Sequence, residues 1–177
     1  LAGWVGAVGV ALAPLAAALR HELLANPVLH ADETPVAQLD PGTGKTRRAY
    51  LFAYRSAVVA PIVVFDYGTS RSGEHVREFL GDWRGALMVD DYAGYKALWA
   101  RGVTELGCWA HARRKFFDLH AANQSELAAE ALRRIAAIYR IEAEVANLGA
   151  EARHAERRQR AGPLVDALFE WLTGIRP

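Results

Sequence analysis

His30-Ala31-Asp32-Glu33-Thr34-Pro35 and Met88-Val89-Asp90-Asp91-Tyr92-Ala93-Gly94-Tyr95 each place a carboxylate where an apolar, β-like run ends. A carboxylate at a strand end rides on a stiff backbone and faces solvent, so two such strands side by side can hold a divalent cation between them. The fold therefore turns on whether these two strands are neighbours.

Working outward, Pro27 to Leu39 reads as a first strand, and Arg48 to Ser56 as a second with Tyr50, Phe52 and Tyr54 on one face by period-two alternation. Pro61 to Tyr67 is continuously apolar through Ile62, Val63, Val64 and Phe65, the pattern of a central strand buried on both faces. Ser72 is placed to cap a helix over 73–83 with Val76, Phe79 and Leu80 inward. Ala86 to Val89 is the fourth strand and delivers Asp90; a short helix over 95–101 and a fifth strand over 104–108 follow. From about residue 110 onward the chain reads helical, rich in Ala, Leu, Glu and Arg, with Phe116, Leu119, Leu127, Leu132, Ile135, Ile138, Tyr139 and Ile141 supplying apolar faces and breaks at Gly149 and Gly162-Pro163.

Three strands, then strands alternating with helices, predict an α/β fold: a mixed sheet of about five strands with flanking helices, followed by a helical C-terminal region. In such a sheet the first and fourth strands can be adjacent, bringing Asp32 and Asp90 together, as in ribonuclease H-like folds. The expected organisation is an N-terminal helix over 1–25, a catalytic core over 26–118, and a helical insertion or appendage over 119–177.

Composition constrains the rest weakly. Of 177 residues, 52% are hydrophobic and 23% charged, enough for one domain with a real core. Twenty-one Lys and Arg against 20 acids leave a formal charge of +1, so only local clusters bear on nucleic acid. The single cysteine, Cys108, cannot form an internal disulfide and fits the reducing cytoplasm. Residues 1–19 carry no charge, but Trp4, Val8, Leu12, Leu15, Leu19 and Leu23 recur at helical spacing; together with three glycines, Pro14 and no basic leader, this favours a packed amphipathic helix over a membrane span or signal peptide.

The strings Pro27 to Val36, Arg71-Ser72-Gly73-Glu74-His75, Asp90 to Tyr95, and Cys108-Trp109-Ala110-His111-Ala112-Arg113-Arg114-Lys115-Phe116, in this order, resemble the insertion-sequence sixty-six family of bacterial transposases. That resemblance implies a DDE transposase core of ribonuclease H-like fold, a bacterial cytoplasmic setting, two Mg2+ or Mn2+ ions, double-stranded DNA of transposon ends and target as partner, and a homo-oligomer in the synaptic complex. Asp32 and Asp90 match the family's first two acids and are the expected catalytic residues and metal ligands. Asp91 replaces the glycine usual after the second acid and reads as a solvated charge. For the third acid, Glu142 matches a family position on a helix; the alternative is a further segment, with paired asparagines and a Glu-Arg, that this sequence lacks, as it lacks the family's amino-terminal DNA-binding region. Such acids bind metals that activate a water or a DNA 3′-hydroxyl and stabilise the leaving oxygen. Taken singly, each aspartate also fits a turn.

Arg71, Arg113, Arg114 and Lys115 are candidate DNA-phosphate contacts; Arg153, Arg157, Arg158 and Arg160 form a second cluster that a solvated helix face balanced by Glu151 and Glu156 explains equally well. Asp40-Pro41-Gly42-Thr43-Gly44-Lys45-Thr46 mimics a phosphate-binding loop, but Leu39 stands at its first glycine and a strand follows, so it reads as a hairpin turn. Cys108 and His111 have half a zinc site's spacing without the other half, which favours packing or hydrogen bonding. The rival functions are a ribonuclease H-like nuclease, which cleaves without joining strands, and an inactive remnant that only binds DNA or a partner.

Overall fold

The computed structural model describes residues 2–57 and 60–175; Leu1, the first residue of the predicted 1–25 helix, and residues 176–177 lie outside them. Two compact units follow one another, residues 1–108 and 109–177.

The first unit opens on helix α1, Ala2–Leu24, and continues through β1 (Val28–Asp40), β2 (Lys45–Ser56), β3 (Val63–Gly68), α2 (Gly73–Leu80), β4 (Ala86–Val89), a 3-10 turn over Ala93–Tyr95, α3 (Lys96–Trp99) and β5 (Thr104–Gly107). The strands form one five-stranded sheet in the order β3-β2-β1-β4-β5, antiparallel across β1–β2 and β2–β3 and parallel across β1–β4 and β4–β5. The mixed sheet with flanking helices is as the element order predicted.

The loop that mimics a phosphate-binding motif is a hairpin turn. Asp40 pairs with Lys45, Thr43 N–H donates to the Asp40 carbonyl at 3.2 Å, and Gly42 and Gly44 supply φ of 82° and 66°, which side chains resist.

One face of the sheet carries the core. Leu29 and Ala31 of β1, Phe52 and Tyr54 of β2, Val64 of β3, and Leu87 and Val89 of β4 are buried against Val76, Phe79 and Leu80 of α2 and against Tyr95, Leu98 and Val103. The Tyr54 and Phe79 rings stack with centroids 3.8 Å apart. Ser72 caps α2 as its sequence predicted, accepting from Glu74 N–H at 3.2 Å. At the other end of α2, Arg20 of α1 donates to the Glu78 and Phe79 carbonyls at 3.2 and 2.9 Å, satisfying last-turn acceptors with a cation.

Two expectations fail here. β3 is an edge strand, and its alternate side chains Val63, Phe65 and Tyr67 are exposed while Val64 is buried. A continuous apolar run fixes neither position in a sheet nor which face is covered. Helix α1 forms but packs only near its end: Leu23 is fully buried, whereas Trp4, Val8, Leu12, Leu15 and Leu19 are exposed. Val5 and Val10 are exposed as well, so the helix is apolar around its circumference and the helical spacing did not define a buried stripe. Among the described residues, this is the one helix long and apolar enough to cross a membrane.

The second unit is helical: α4 (Trp109–Asn123), α5 (Glu126–Val145), α6 (Ala150–Glu156), a π-helical turn over Arg157–Ala161, and α7 (Gly162–Gly174). Ala128, Ala131, Ile135, Ile138 and Val145 form the buried stripe of α5, and Leu168 and Ala161 meet it. Tyr139, one residue off that stripe, is exposed rather than packed inward, as are Leu119 and Leu127. Gly149 does start a new helix, but Gly162-Pro163 does not break the chain: Gly162 stays helical, and Pro163 lies in the first turn of α7, which follows directly on the π-helical turn.

Candidate active site

The parallel pairing of β1 with β4 sets the site. Val28, Leu29 and His30 lie opposite Ala86, Leu87 and Met88, and two residues beyond the last pair on each strand stand Asp32 and Asp90. Neighbouring strands run about 4.8 Å apart, so the two aspartates leave adjacent strands at equal depth. They share the parity of His30 and Met88, opposite to the buried Leu29 and Leu87. One oxygen of each carboxylate is fixed by local backbone: Asp32 Oδ1 accepts from Glu33 N–H at 3.0 Å, and Asp90 Oδ1 from Tyr92 N–H at 2.9 Å. Asp32 is exposed, and the Asp90 side chain is partly so. Two hard, ionisable oxygen donors reachable from solvent are a donor set that suits Mg2+ or Mn2+.

Beneath this pair lies a group that the sequence reading passed over. Glu33 has the inward parity of Leu29 and Ala31, and its side chain is only 1% exposed. Its Oε1 accepts from Arg71 Nε at 2.8 Å and also from Arg71 Nη2, while Oε2 accepts from the Tyr95 hydroxyl. Arg71 Nη2 in turn stands 3.9 Å from Asp90 Oδ2. The guanidinium lies over the Tyr92 ring, 3.7 Å from its centroid, and the Tyr92 hydroxyl donates to the Arg71 carbonyl. Burial works against the Arg71 charge, but the hydrogen bond and charge of Glu33 outweigh it and raise the Arg71 pKa. Burial, then the Glu33 hydrogen bond, pushes the Tyr95 phenol well above its ordinary value, so it stays a donor. The signal available in the sequence was parity: an acid at an inward position of an alternating strand needs a cationic partner.

Two glycines let these segments meet. A Cβ on Gly73 would fall 2.1 Å from the Gly94 carbonyl oxygen, and one on Gly94 would fall 2.3 Å from the Tyr92 ring. The start of α2 and the 3-10 turn therefore touch backbone to backbone, which is why Arg71-Ser72-Gly73 and the Tyr-Ala-Gly-Tyr string converge around Glu33.

Asp91 is exposed. Glu142, on α5 of the second unit, is gripped by Arg157, whose Nε donates to its two oxygens at 2.8 and 3.1 Å. Among the described residues no three His, Cys, Asp or Glu side chains gather as a metal cluster. Arg113, Arg114 and Lys115 are exposed on α4, and the buried His111 Nδ1 has no hydrogen-bond partner among the described residues. In the second basic cluster Arg157 pairs with Glu142, and Arg160 with Glu144 and Glu156, as a solvated helix surface does.

Comparison with known proteins gives relatives in Sinorhizobium fredii (strain NBRC 101917 / NGR234). The uncharacterized protein y4qI is 33% identical over 96% of this chain and 34% of its own length; y4hP is 32% identical over 99% of this chain and 36% of its own. The chain thus spans about a third of the length of these curated relatives. The family model described as Transposase IS66 family matches residues 1–176, and the chain belongs to that family of transposases.

Proposed function

We propose that this chain carries the catalytic core of a DDE transposase of ribonuclease H-like fold, which cuts and joins DNA phosphodiesters at transposon ends. The observation that carries the reading is the equal depth of Asp32 and Asp90 beyond the parallel β1–β4 pairing. Strand order β3-β2-β1-β4-β5, with its first three strands antiparallel, supports the ribonuclease H-like assignment.

In this reading Asp32 and Asp90 are the metal ligands. Bound Mg2+ or Mn2+ supplies a nucleophile at neutral pH and charge stabilisation for the leaving oxygen. The protein's own contribution is to orient both carboxylates, each with one oxygen accepting from a backbone N–H. Arg71 sits beside them with a guanidinium half exposed, oriented by Glu33 and Tyr92, and is placed to receive a DNA phosphate. Arg113, Arg114 and Lys115 are further DNA-phosphate contacts. Glu142 is the third-acid candidate within this chain, and that role requires it to exchange Arg157 for a metal. This engagement of Glu142 also favours a second reading, in which the chain by itself binds DNA without cutting it. A synaptic homo-oligomer in the bacterial cytoplasm completes the proposal.

The test is incubation of the chain, with Mn2+, with labelled duplex carrying a transposon end. Metal-dependent nicking and strand-transfer products that vanish in Asp32→Asn and Asp90→Asn support the proposal. Products that persist in both variants refute it, and cleavage without strand transfer assigns a nuclease instead. Binding that survives Asp32→Asn with no product in the native chain assigns the binding-only reading.

A further inference from the structure

The second unit holds a groove of about 610 Å³ between α4 and α5. Its walls are two helical stripes. Arg113, Arg114 and Phe117 follow Ala110 on α4 at the i, i+3, i+4, i+7 spacing of one helix face, and Tyr139 and Arg140 follow Ala136 on α5 in the same way. The alanines at 110, 136 and 143 keep the groove open. Phe117 is 51% exposed and Tyr139 37%, each presenting ring surface to solvent, Tyr139 next to the buried Ile138.

Among the described residues, some arginines of this unit are paired with acids and others, such as Arg153 and Arg158, are not. Arg133 and Arg134 pair with Glu130, Arg157 with Glu142, and Arg160 with Glu144 and Glu156. By contrast, the guanidinium groups of Arg113, Arg114 and Arg140 make no ion pair or hydrogen bond among the described residues, and Asp118 is the one acid lining the groove. Three arginines without an ion pair, one acid and two exposed aromatic rings therefore share one concave surface whose size falls in the range of ligand sites.

We propose that this groove binds a single DNA strand, its phosphates on Arg113, Arg114 and Arg140 and its unpaired bases against Phe117 and Tyr139. Phosphate-directed cations interleaved with stacking platforms are the chemistry that holds unpaired strands, because every base offers a π face. A duplex keeps its base faces stacked on one another and leaves both rings without a stacking partner. The inference rests on the proposal that the chain acts on DNA, and adds that it handles a strand with exposed bases.

The experiment is fluorescence anisotropy with the whole chain and a labelled oligothymidine, in chelator, so that it reads independently of Asp32, Asp90 and any metal chemistry. The native chain is expected to prefer the single strand to a duplex of equal length. Tyr139→Ala weakens that binding about tenfold and Tyr139→Phe stays within about twofold, since the ring does the stacking. An abasic oligonucleotide binds the native chain about as weakly as the oligothymidine binds Tyr139→Ala. Because Tyr139 is exposed, circular dichroism of each variant should match the native chain. Equal binding of duplex and single strand, of abasic and normal oligonucleotide, or of Tyr139→Ala and native chain overturns the proposal, whatever the outcome of the cleavage assay.

Discussion

Replacing Arg71 with Met strands the Glu33 carboxylate, which is 1% exposed and keeps only the Tyr95 hydroxyl as a side-chain donor. Removing one partner of a buried pair costs about 3–5 kcal/mol, and the 41% exposure of Arg71, which lets water reach the vacated position, puts the expected loss at about 3 kcal/mol. Glu33→Gln keeps an acceptor for Arg71 but loses its charge, at a cost of about 1.5 kcal/mol. The double variant removes both charges together, so its loss should be about 2.5 kcal/mol rather than the additive 4.5, a coupling of about 2 kcal/mol. Urea unfolding followed by circular dichroism, with all four proteins in one buffer, measures the cycle. Losses that add to within about 0.5 kcal/mol would refute the claim that Glu33 and Arg71 form one energetic unit beneath the aspartates.

Gly73→Ala places a methyl group 2.1 Å from the Gly94 carbonyl oxygen, so it should cost about 1–3 kcal/mol in the same unfolding assay; an unchanged midpoint would show that the two backbones are not in contact. Leu23→Ala should cost about 3 kcal/mol and Leu12→Ala less than about 0.5, because the first is fully buried and the second 52% exposed; equal losses would mean that α1 is packed along its length. Tyr54 is a buried phenol whose hydroxyl has no hydrogen-bond partner among the described residues, and burial, then the charges of Asp66 and Glu33, raise its pKa above the ordinary 10.0. The folded chain then keeps a proton that the unfolded chain releases, so stability falls as pH rises past about 10. Tyr54→Phe should be neutral or stabilising by about 1 kcal/mol at neutral pH and should flatten that alkaline loss; a marked destabilisation would reveal a partner for the hydroxyl.

Strand positions were legible because alternation and chain punctuation are local. Ala86–Val89 has the bounds its sequence predicted, and the adjacency of β1 and β4 followed from element order. What was not legible depends on what lies across a face. The run Ile62 to Phe65 is apolar at both parities, and only the sheet order makes β3 an edge with Phe65 61% exposed. Residues 4 to 19 keep helical spacing, yet nothing in the spacing supplies a surface for α1 to cover. Arg71 was legible as a motif residue and a candidate phosphate contact, but its bond to Glu33 joins positions 38 apart and needed the tertiary fold to appear. Glu33 itself was hidden behind Asp32, since adjacent acids on a strand face opposite sides and the eye follows the exposed one.

The central claim, that Asp32 and Asp90 act together on one divalent cation, is tested most directly by equilibrium Mn2+ binding to the whole chain, read by electron paramagnetic resonance or titration calorimetry without DNA. The native chain is expected to bind Mn2+, and Asp32→Asn and Asp90→Asn each to weaken binding at least about tenfold, the double variant losing little more than either single one. Native binding that survives both substitutions, or losses that simply add, would contradict that claim.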